Sequence, residues 1–402
     1  MANVSSSNGI EKRPKLRFAE FTDSWQITSL SNLGSFTSGS GFPEKYQGNT
    51  SLDVPFYKVS DMNLPRNTKY MLDVNNTVDD SIIKQLRTRT IDTPSIIFAK
   101  VGAAIFGERK RIVKHRFLID NNMMAFTPNN KIDLEFCHAC FYRTKLSHYT
   151  QIGALPSYNA SDLSIINFGV PSMEEQRKIA KFVILMDNKI EKHARLVELL
   201  KKYKRGLMQA IFSREVQLEN SSNWEHRLFS EIASLGKGKY TPKQEKALPC
   251  IELEHLEQQT GQIIGYANSN EQNSVKSVFH KGDVLFGKLR PYLRKFALPE
   301  YDGVCSSEIW VLHPKSNIDS TFLFYLIQSE SFIAAANISS GTKMPRAEWS
   351  KVSNEGFFIP ELSEQKRIAD LFSAIDKRIV NATRTVNKMQ SLKQGLLQQL
   401  FI

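Results

Sequence analysis

Residues 171–212, PSMEEQRKIAKFVILMDNKIEKHARLVELLKKYKRGLMQAIF, decide the fold, because the stretch returns at residues 360–401 as PELSEQKRIADLFSAIDKRIVNATRTVNKMQSLKQGLLQQLF. The copies align without a gap at an offset of 189 positions, and 14 of 42 positions are identical. Among the identities are Glu175/Glu364, Gln176/Gln365, Ile179/Ile368, Ala180/Ala369, Asp187/Asp376, Ile190/Ile379, Gly206/Gly395 and Gln209/Gln398. Self-similarity at a fixed period marks a chain built from repeated units.

Each copy carries a seven-residue apolar repeat. In the first, Ile179, Met186, His193, Leu200 and Leu207 form one row and Val183, Ile190, Val197, Lys204 and Ile211 the other, eight of ten apolar. In the second, the rows are Ile368, Ile375, Ala382, Met389, Leu396 and Phe372, Ile379, Val386, Lys393, Leu400, nine of ten apolar, with Lys204 and Lys393 at the same seam position. The pattern predicts one long helix per copy, and Pro171, Ser172 and Glu175 read as a start with a capping box. No proline interrupts either stretch. About 41 helical residues at ~1.5 Å each make a rod of roughly 60 Å. A rod with one apolar stripe needs a partner. Two separate helices, each facing its own core, is the blander reading. The matched length, register and position favour pairing of the copies, in antiparallel sense, so that the globular segments stand at opposite ends.

The segments ahead of the helices also repeat, more loosely. Trp25-Gln-Ile-Thr-Ser-Leu30 corresponds to Trp224-Glu-His-Arg-Leu-Phe229, and Ile96-Ile97-Phe98-Ala99-Lys100 to Val284-Leu285-Phe286-Gly287-Lys288, both buried strands ending in lysine. Leu155-Pro156 and Met344-Pro345 keep the 189 offset, each just after a glycine, Gly153 or Gly341. The expected plan is a disordered tail over residues 1–15, an α/β domain at 16–170, a helix at 171–213, a linker at 214–223, a second α/β domain at 224–359 and a second helix at 360–402. It is a pseudo-twofold internal repeat.

The bulk properties set the class. A chain of 402 residues with 41% hydrophobic and 23% charged residues has the balance of a globular protein with room for two domains. The first fourteen residues lack the apolar run of a signal peptide, and no eighteen apolar residues stand together. The four cysteines, Cys137, Cys140, Cys250 and Cys305, are too scattered for a disulfide framework. A cytoplasmic location is expected. The net charge of +12 suits a polyanionic partner. The two helix segments carry +8 of it, so acidic partner surfaces or DNA could both lie along them.

Motifs for chemistry are missing. None of the fifteen prolines lies in the Asn-Pro-Pro-aromatic or Asp-Pro-Pro-aromatic signature of an adenine methyltransferase, and there is no Walker A loop. Cys137-His138-Ala139-Cys140 has the spacing of half a zinc site, but no second pair completes it. At an offset of 186, Leu323 and Leu326 stand where the cysteines do, so these read as core. Glu364-Gln365-Lys366 is similar to the Glu-x-Lys of a restriction nuclease, yet it lies in the first turn of a helix with no aspartate placed to share a metal. No catalytic residue, metal or cofactor is therefore expected on this chain.

Basic residues interleaved with tyrosine are the candidate DNA contacts: Lys100, Arg109, Lys110, Arg111 and Tyr158 in the first half, and Lys237, Lys239, Tyr240, Lys288, Arg290, Tyr292, Lys343 and Arg346 in the second. Lysine and arginine serve phosphates, and arginine also reads bases. Each of these positions is equally readable as solvated surface.

The Pro-x-x-x-Glu-Gln-x-x-Ile-Ala opening of both helices, at Pro171 to Ala180 and Pro360 to Ala369, resembles the repeat regions of Type I restriction–modification specificity subunits, and Arg17-Phe-Ala-Glu-Phe-Thr-Asp-Ser-Trp25 is similar to that family's entry into its first target-recognition domain. The resemblance spans nearly the whole chain. It implies two target-recognition domains in tandem, each reading half of a bipartite, asymmetric DNA site, with the helices as a ruler. It further implies two methyltransferase subunits docked on this chain and restriction/translocase subunits joining them. S-adenosylmethionine, ATP and Mg2+ would belong to those partners. A coiled-coil scaffold with repeated protein-binding domains is the alternative, and a self-sufficient nuclease a third.

Overall fold

The computed structural model describes residues 13–151, 155–219, 221–242, 246–338 and 344–402. The chain divides into two compact units, one comprising residues up to 192 together with 385–402, the other residues 193–384. Of the expected tail, residues 1–12 lie outside the described part. Pro14 is buried, and the Leu16 N–H donates to the Gln399 carbonyl at 2.9 Å, so packing begins inside the expected tail.

The first unit opens with strand Gln26–Ser29, paired antiparallel with Asn167–Val170. Its main sheet has the order Gly34–Ser38, Met123–Pro128, Ser95–Ala99, Lys110–Val113, all antiparallel. A smaller sheet places Val54–Tyr57 between antiparallel Thr77–Val78 and parallel Leu118–Ile119. The second unit repeats the plan. Glu225–Leu228 pairs with Gly356–Ile359, and the main sheet runs Ala233–Leu235, Ile309–Pro314, Val284–Gly287, Phe296–Ala297. In its second sheet Pro249–Ile251 again lies between an antiparallel strand, Ala267–Asn268, and a parallel one, Gly303–Cys305. Lys239–Tyr240 and Lys276–Phe279 extend that sheet beyond its counterpart.

Side chains of a strand alternate between faces, and here both faces are covered. Ile96 and Phe98 join the core beneath helix Leu134–Arg143, whereas Ile97 joins a second core on the opposite face. Val284 and Phe286 against Leu285 divide in the same way. Such unbroken apolar strands are what two-sided burial demands. Cys137 and Cys140 are buried free thiols of the covering helix, and burial pushes both thiol pKa values up. Leu323 and Leu326 are buried in the matching helix.

Two long helices follow the globular parts, α1 (Met173–Phe212) and α2 (Leu362–Leu400). Within the first unit, Ile179 and Val183 of α1 share a core with Leu397 and Leu400 of α2, and Lys393 meets Asp187 at 2.5 Å. Within the second, Met208 and Ile211 of α1 share a core with Ile368, Phe372 and Ile375 of α2, and Lys204 meets Asp376 at 2.8 Å. In each unit the numbering rises on one helix as it falls on the other, so the segments pair antiparallel. Of the seam residues Ile179, Val183, Met186, Ile190, Val197, Leu200, Leu207, Ile368, Phe372, Ile375, Ile379, Val386, Met389 and Leu396, none is exposed.

The Glu-Gln pair at each helix start fastens helix to domain. Gln176 donates to the carbonyls of Lys131 at 3.1 Å and Pro171 at 3.0 Å and accepts from the Asp133 N–H at 2.8 Å. Gln365 does the same with Asn317, Pro360 and Asp319, at 3.0, 3.0 and 2.9 Å. The expected capping box is only half formed. Ser172 Oγ accepts from the Glu175 N–H at 3.4 Å, but the buried Glu175 carboxylate turns to Arg17, at 2.8 and 2.7 Å, and to Trp25 Nε1 at 3.3 Å. Glu364 accepts instead from Ser221 Oγ, the Ser222 N–H and hydroxyl, and Trp224 Nε1, at 2.8, 2.6, 2.7 and 3.2 Å. A charged long-range donor outcompetes the helix's own backbone here, and the same occupancy closes the nuclease reading of Glu364.

Candidate nucleic-acid interface

In each unit the hairpin leaving the central strand meets the loop that ends in Leu-Pro or Met-Pro. After Ser95–Ala99 the chain passes Lys100, turns at Gly102 (φ 79°), makes the 3-10 turn Ala103–Gly107, turns again at Glu108 (φ 49°) and returns as Lys110–Val113. Gly102 N–H donates to the Pro156 carbonyl at 2.8 Å, and Tyr158 N–H to the Lys100 carbonyl at 3.3 Å. In the second unit Val284–Gly287 leads through Lys288 to a turn at Arg290 (φ 51°), a 3-10 turn Pro291–Leu293, a second turn at Arg294 (φ 52°) and the return strand Phe296–Ala297. Arg290 N–H donates to the Pro345 carbonyl at 2.7 Å and Ala347 N–H to the Lys288 carbonyl at 2.9 Å. Left-handed backbone at an arginine is costly and persists where surrounding structure holds it. The repeat visible in sequence at the lysine-ended strands and at the Leu-Pro and Met-Pro pairs is thus one physical junction, built twice.

The junctions sort the candidate residues. Lys100 and Lys288 stand half-buried at the strand ends, and Arg109, Arg290 and Tyr292 are exposed at the turns. Arg346 is exposed beside this junction and bridges to Glu308 at 3.1 and 3.3 Å. Lys239 is exposed in Lys239–Tyr240, the edge strand of the second sheet, and Lys237 is exposed in the connection leading to it. Lys343 lies outside the described residues.

Four candidates are corrected. Lys110 is buried, its ammonium held by Glu108 and by the Thr144 carbonyl at 2.9 Å, and burial lowers its pKa. Arg111 is half-buried and bonds the Asn67 carbonyl at 2.6 Å and the Lys110 carbonyl at 3.2 Å, with burial lowering its pKa. Tyr158 is buried, and its hydroxyl donates to the Ala99 carbonyl. Tyr240 is buried with its hydroxyl in a network with Asn270, Lys246 and Ser269. For Lys110 and Tyr240 the reason is strand alternation, which turns the neighbour of an exposed cation, Arg109 or Lys239, into the core, whereas Arg111 and Tyr158 are drawn in by backbone carbonyls.

One exposed residue at the junction escaped the sequence reading, Phe106 in the first 3-10 turn. Counted back from the return strand, it occupies the place of Tyr292, a signal hidden by the different loop lengths. Among the described residues no group of three or more His, Cys, Asp and Glu side chains is placed to hold a metal. His138 bonds the Lys110 carbonyl at 3.2 Å, and burial draws its pKa down to about 4. No helix among them is long and apolar enough to cross a membrane.

Comparison with known proteins agrees with this architecture. The profile of the Type I restriction modification DNA specificity domain matches residues 22–201 and again 221–389. The EcoDI specificity subunit of Escherichia coli is 25% identical over 299 residues, which is 64% of this chain and 66% of that protein, so the chain spans about two thirds of its length. The crystal structure of a Type I S subunit from M. genitalium superposes with a TM-score of 0.60 at 14% identity, covering 97% of this chain and 99% of that one. A chain from a study of complex assembly and conformational transition in the type I R-M system gives a TM-score of 0.55 at 15% identity, covering 94% and 97%. With the family profile matched once in each half, on a fold repeated in each half, the chain belongs to the specificity subunits of Type I restriction–modification systems.

Proposed function

We propose that each globular half of this chain reads one half of a bipartite, asymmetric DNA site, and that the paired helices set the gap between the half-sites and dock methyltransferase subunits. The observation that carries this reading is the duplicated junction, which presents Lys100 and Arg109 on one copy and Lys288, Arg290 and Arg346 on the other while the loops around it differ. Cations at fixed positions bind phosphates, and divergent side chains beside them read different bases. On α1, Leu196, Leu199 and Tyr203 stand exposed on one helical face, a surface that suits a protein partner and supports the docking part of this reading. Methyl transfer, ATP hydrolysis and cleavage belong to partner subunits, with S-adenosylmethionine, ATP and Mg2+ bound there.

The test is a methylome. This chain with S-adenosylmethionine alone should methylate nothing, and adding the methyltransferase subunit should give adenine methylation at one bipartite site. Exchanging residues 16–168 for those of a relative should then change one half of that site and leave the other intact. A swap that alters both halves, or neither, defeats the reading of independent halves.

A further inference from the structure

The duplicated junction carries more than charge. Phe106 is 61% exposed and Tyr292 52% exposed, each within a 3-10 turn bracketed by left-handed residues, Gly102 and Glu108 around the first, Arg290 and Arg294 around the second. The return strands are in matching register, since Phe98 pairs with Lys110 and Phe286 with Phe296. Phe106 lies four residues before Lys110, and Tyr292 four before Phe296. A lone exposed ring means nothing on a protein surface. Here the same position holds a ring in two hairpins whose sequences, AAIFGE and PYLR, otherwise differ.

The charge around the rings is one-sided. Arg109 and Lys100 belong to the first hairpin, and Lys288 and Arg290 to the second; none of the four forms a side-chain ion pair among the described residues. The carboxylate of the first turn, Glu108, is turned inward: it takes Lys110 and the N–H groups of Leu146 and Ser147 at 3.1 and 2.9 Å. Glu330 neutralises Arg294 at 2.5 Å. An apolar ring on a stiff turn beside unpaired cations matches stacked bases flanked by phosphates.

We infer that Phe106 and Tyr292 are the base-contacting residues of the two hairpins, each packing on or wedging between bases of its own half-site while Lys100 and Arg109, or Lys288 and Arg290, hold the adjoining phosphates. This rests on the DNA-reading function proposed above. It assigns base stacking and the sequence-dependent cost of unstacking to the rings and register to the cations, beside the divergent side chains that read base edges.

The test uses the chain assembled with its methyltransferase partner, on duplex DNA carrying the site found by methylome, with 5-iododeoxyuridine scanned through both halves. Photocrosslinks are expected to peptides containing residues 103–107 from one half-site and 291–293 from the other. Phe106→Ala and Tyr292→Ala should each slow methylation at correct sites by roughly tenfold, the scale of one lost base stack, and each should relax only its own half of the motif. Tyr292→Phe, which keeps the ring, should restore the rate. Crosslinks confined to other segments, or unchanged methylomes from both alanine variants in assembled complexes, overturn the assignment and leave DNA reading intact. Absence of site-specific methylation by the wild-type complex defeats the DNA-reading function itself.

Discussion

Lys204 meets Asp376 in the second unit and Lys393 meets Asp187 in the first, and the pairs are equivalent by the 189 offset, yet their surroundings differ. Lys204 is buried over the ring of Tyr325, whose hydroxyl donates to the same Asp376 at 2.9 Å, and Gln328 Oε1 lies 3.3 Å from the ammonium. Lys393 lies over the ring of Tyr142, and its partner Asp187 also holds Lys69 at 3.3 Å, which reaches on to Glu135 at 3.1 Å. One device has been kept and its neighbourhood rewritten. An ion pair inside an apolar seam stabilises little beyond a hydrophobic pair, but it penalises every register that parts the charges.

The largest effect should come from breaking the pair whose lysine is the more buried. Asp376→Ala leaves the Lys204 ammonium with Gln328 and the Tyr325 ring but no counter-charge, removes the acceptor of the Tyr325 hydroxyl, and should cost the second unit about 2–3 kcal/mol. Asp187→Ala should cost the first unit less, about 1–2 kcal/mol, because Lys393 and Lys69 retain more solvent and Lys69 keeps Glu135. Urea unfolding read from Trp25 for the first unit and from Trp224, Trp310 and Trp349 for the second measures each separately. Equal losses, or a larger one in the first unit, would contradict the comparison. The double variant Lys204→Met with Asp376→Leu should recover most of the stability while loosening the register.

These two pairs also mark how far the sequence could be read. The heptads and the repeat exposed the helices, their start and their pairing, because those are local patterns. Lys204 and Lys393 were visible as charges at one seam position and Asp187 and Asp376 as identities. Their meeting needs the antiparallel register, which joins positions 172 residues apart in one pair and 206 in the other. The same limit explains the capping box: Ser172 and Glu175 have its spacing, but Arg17, 158 residues away, takes the carboxylate. Cys137 and Cys140 were legible as core through their leucine counterparts. Phe106 was hidden because the hairpin loop at 288–295 is two residues shorter than that at 100–109, which breaks the alignment at the functional turn.

The helix clamps sharpen the contrast at intermediate size. Glu175→Gln loses a bidentate bond to Arg17, whereas Glu364→Gln loses acceptors for neutral serine and indole donors, so the first should cost about 2 kcal/mol and the second about 1 kcal/mol. The pH dependence gives an independent reading for Glu364. Burial raises its pKa, but hydrogen bonds from Ser222, Ser221 and Trp224 outweigh that and hold the carboxyl below its usual range. A depressed carboxyl contributes stability above its unfolded pKa, ~4.3, and loses it as pH falls through the folded value. The gap between wild type and Glu364→Gln in urea midpoint should therefore stay flat near neutrality and narrow below about pH 4. A gap that widens on acidification would reverse the assignment.

The smallest effect separates neighbours in one hairpin. Arg109 and Lys110 look alike in sequence, but Arg109 is exposed at the turn while Lys110 is buried against Glu108 and the Thr144 carbonyl. A phosphate-binding cation contributes by releasing counterions, so its removal shows in the salt dependence of DNA binding more than in folding. Arg109→Ala should lower the slope of log affinity against log salt by about 0.9 per lost contact and leave stability within about 0.5 kcal/mol. Lys110→Ala should do the reverse. It leaves the partly buried Glu108 carboxylate without its counter-charge, held only by the Leu146 and Ser147 N–H groups, and takes a donor from the Thr144 carbonyl, which costs about 1–3 kcal/mol; it removes no charge that DNA can reach, so the slope stays put. Titrations of the assembled complex on its site between low and moderate salt, beside urea midpoints read from Trp25, distinguish the two. If Lys110→Ala flattened the slope with stability intact, the buried lysine would have to swing out to DNA, and the division between a fixed frame and a reading surface would fail at this hairpin.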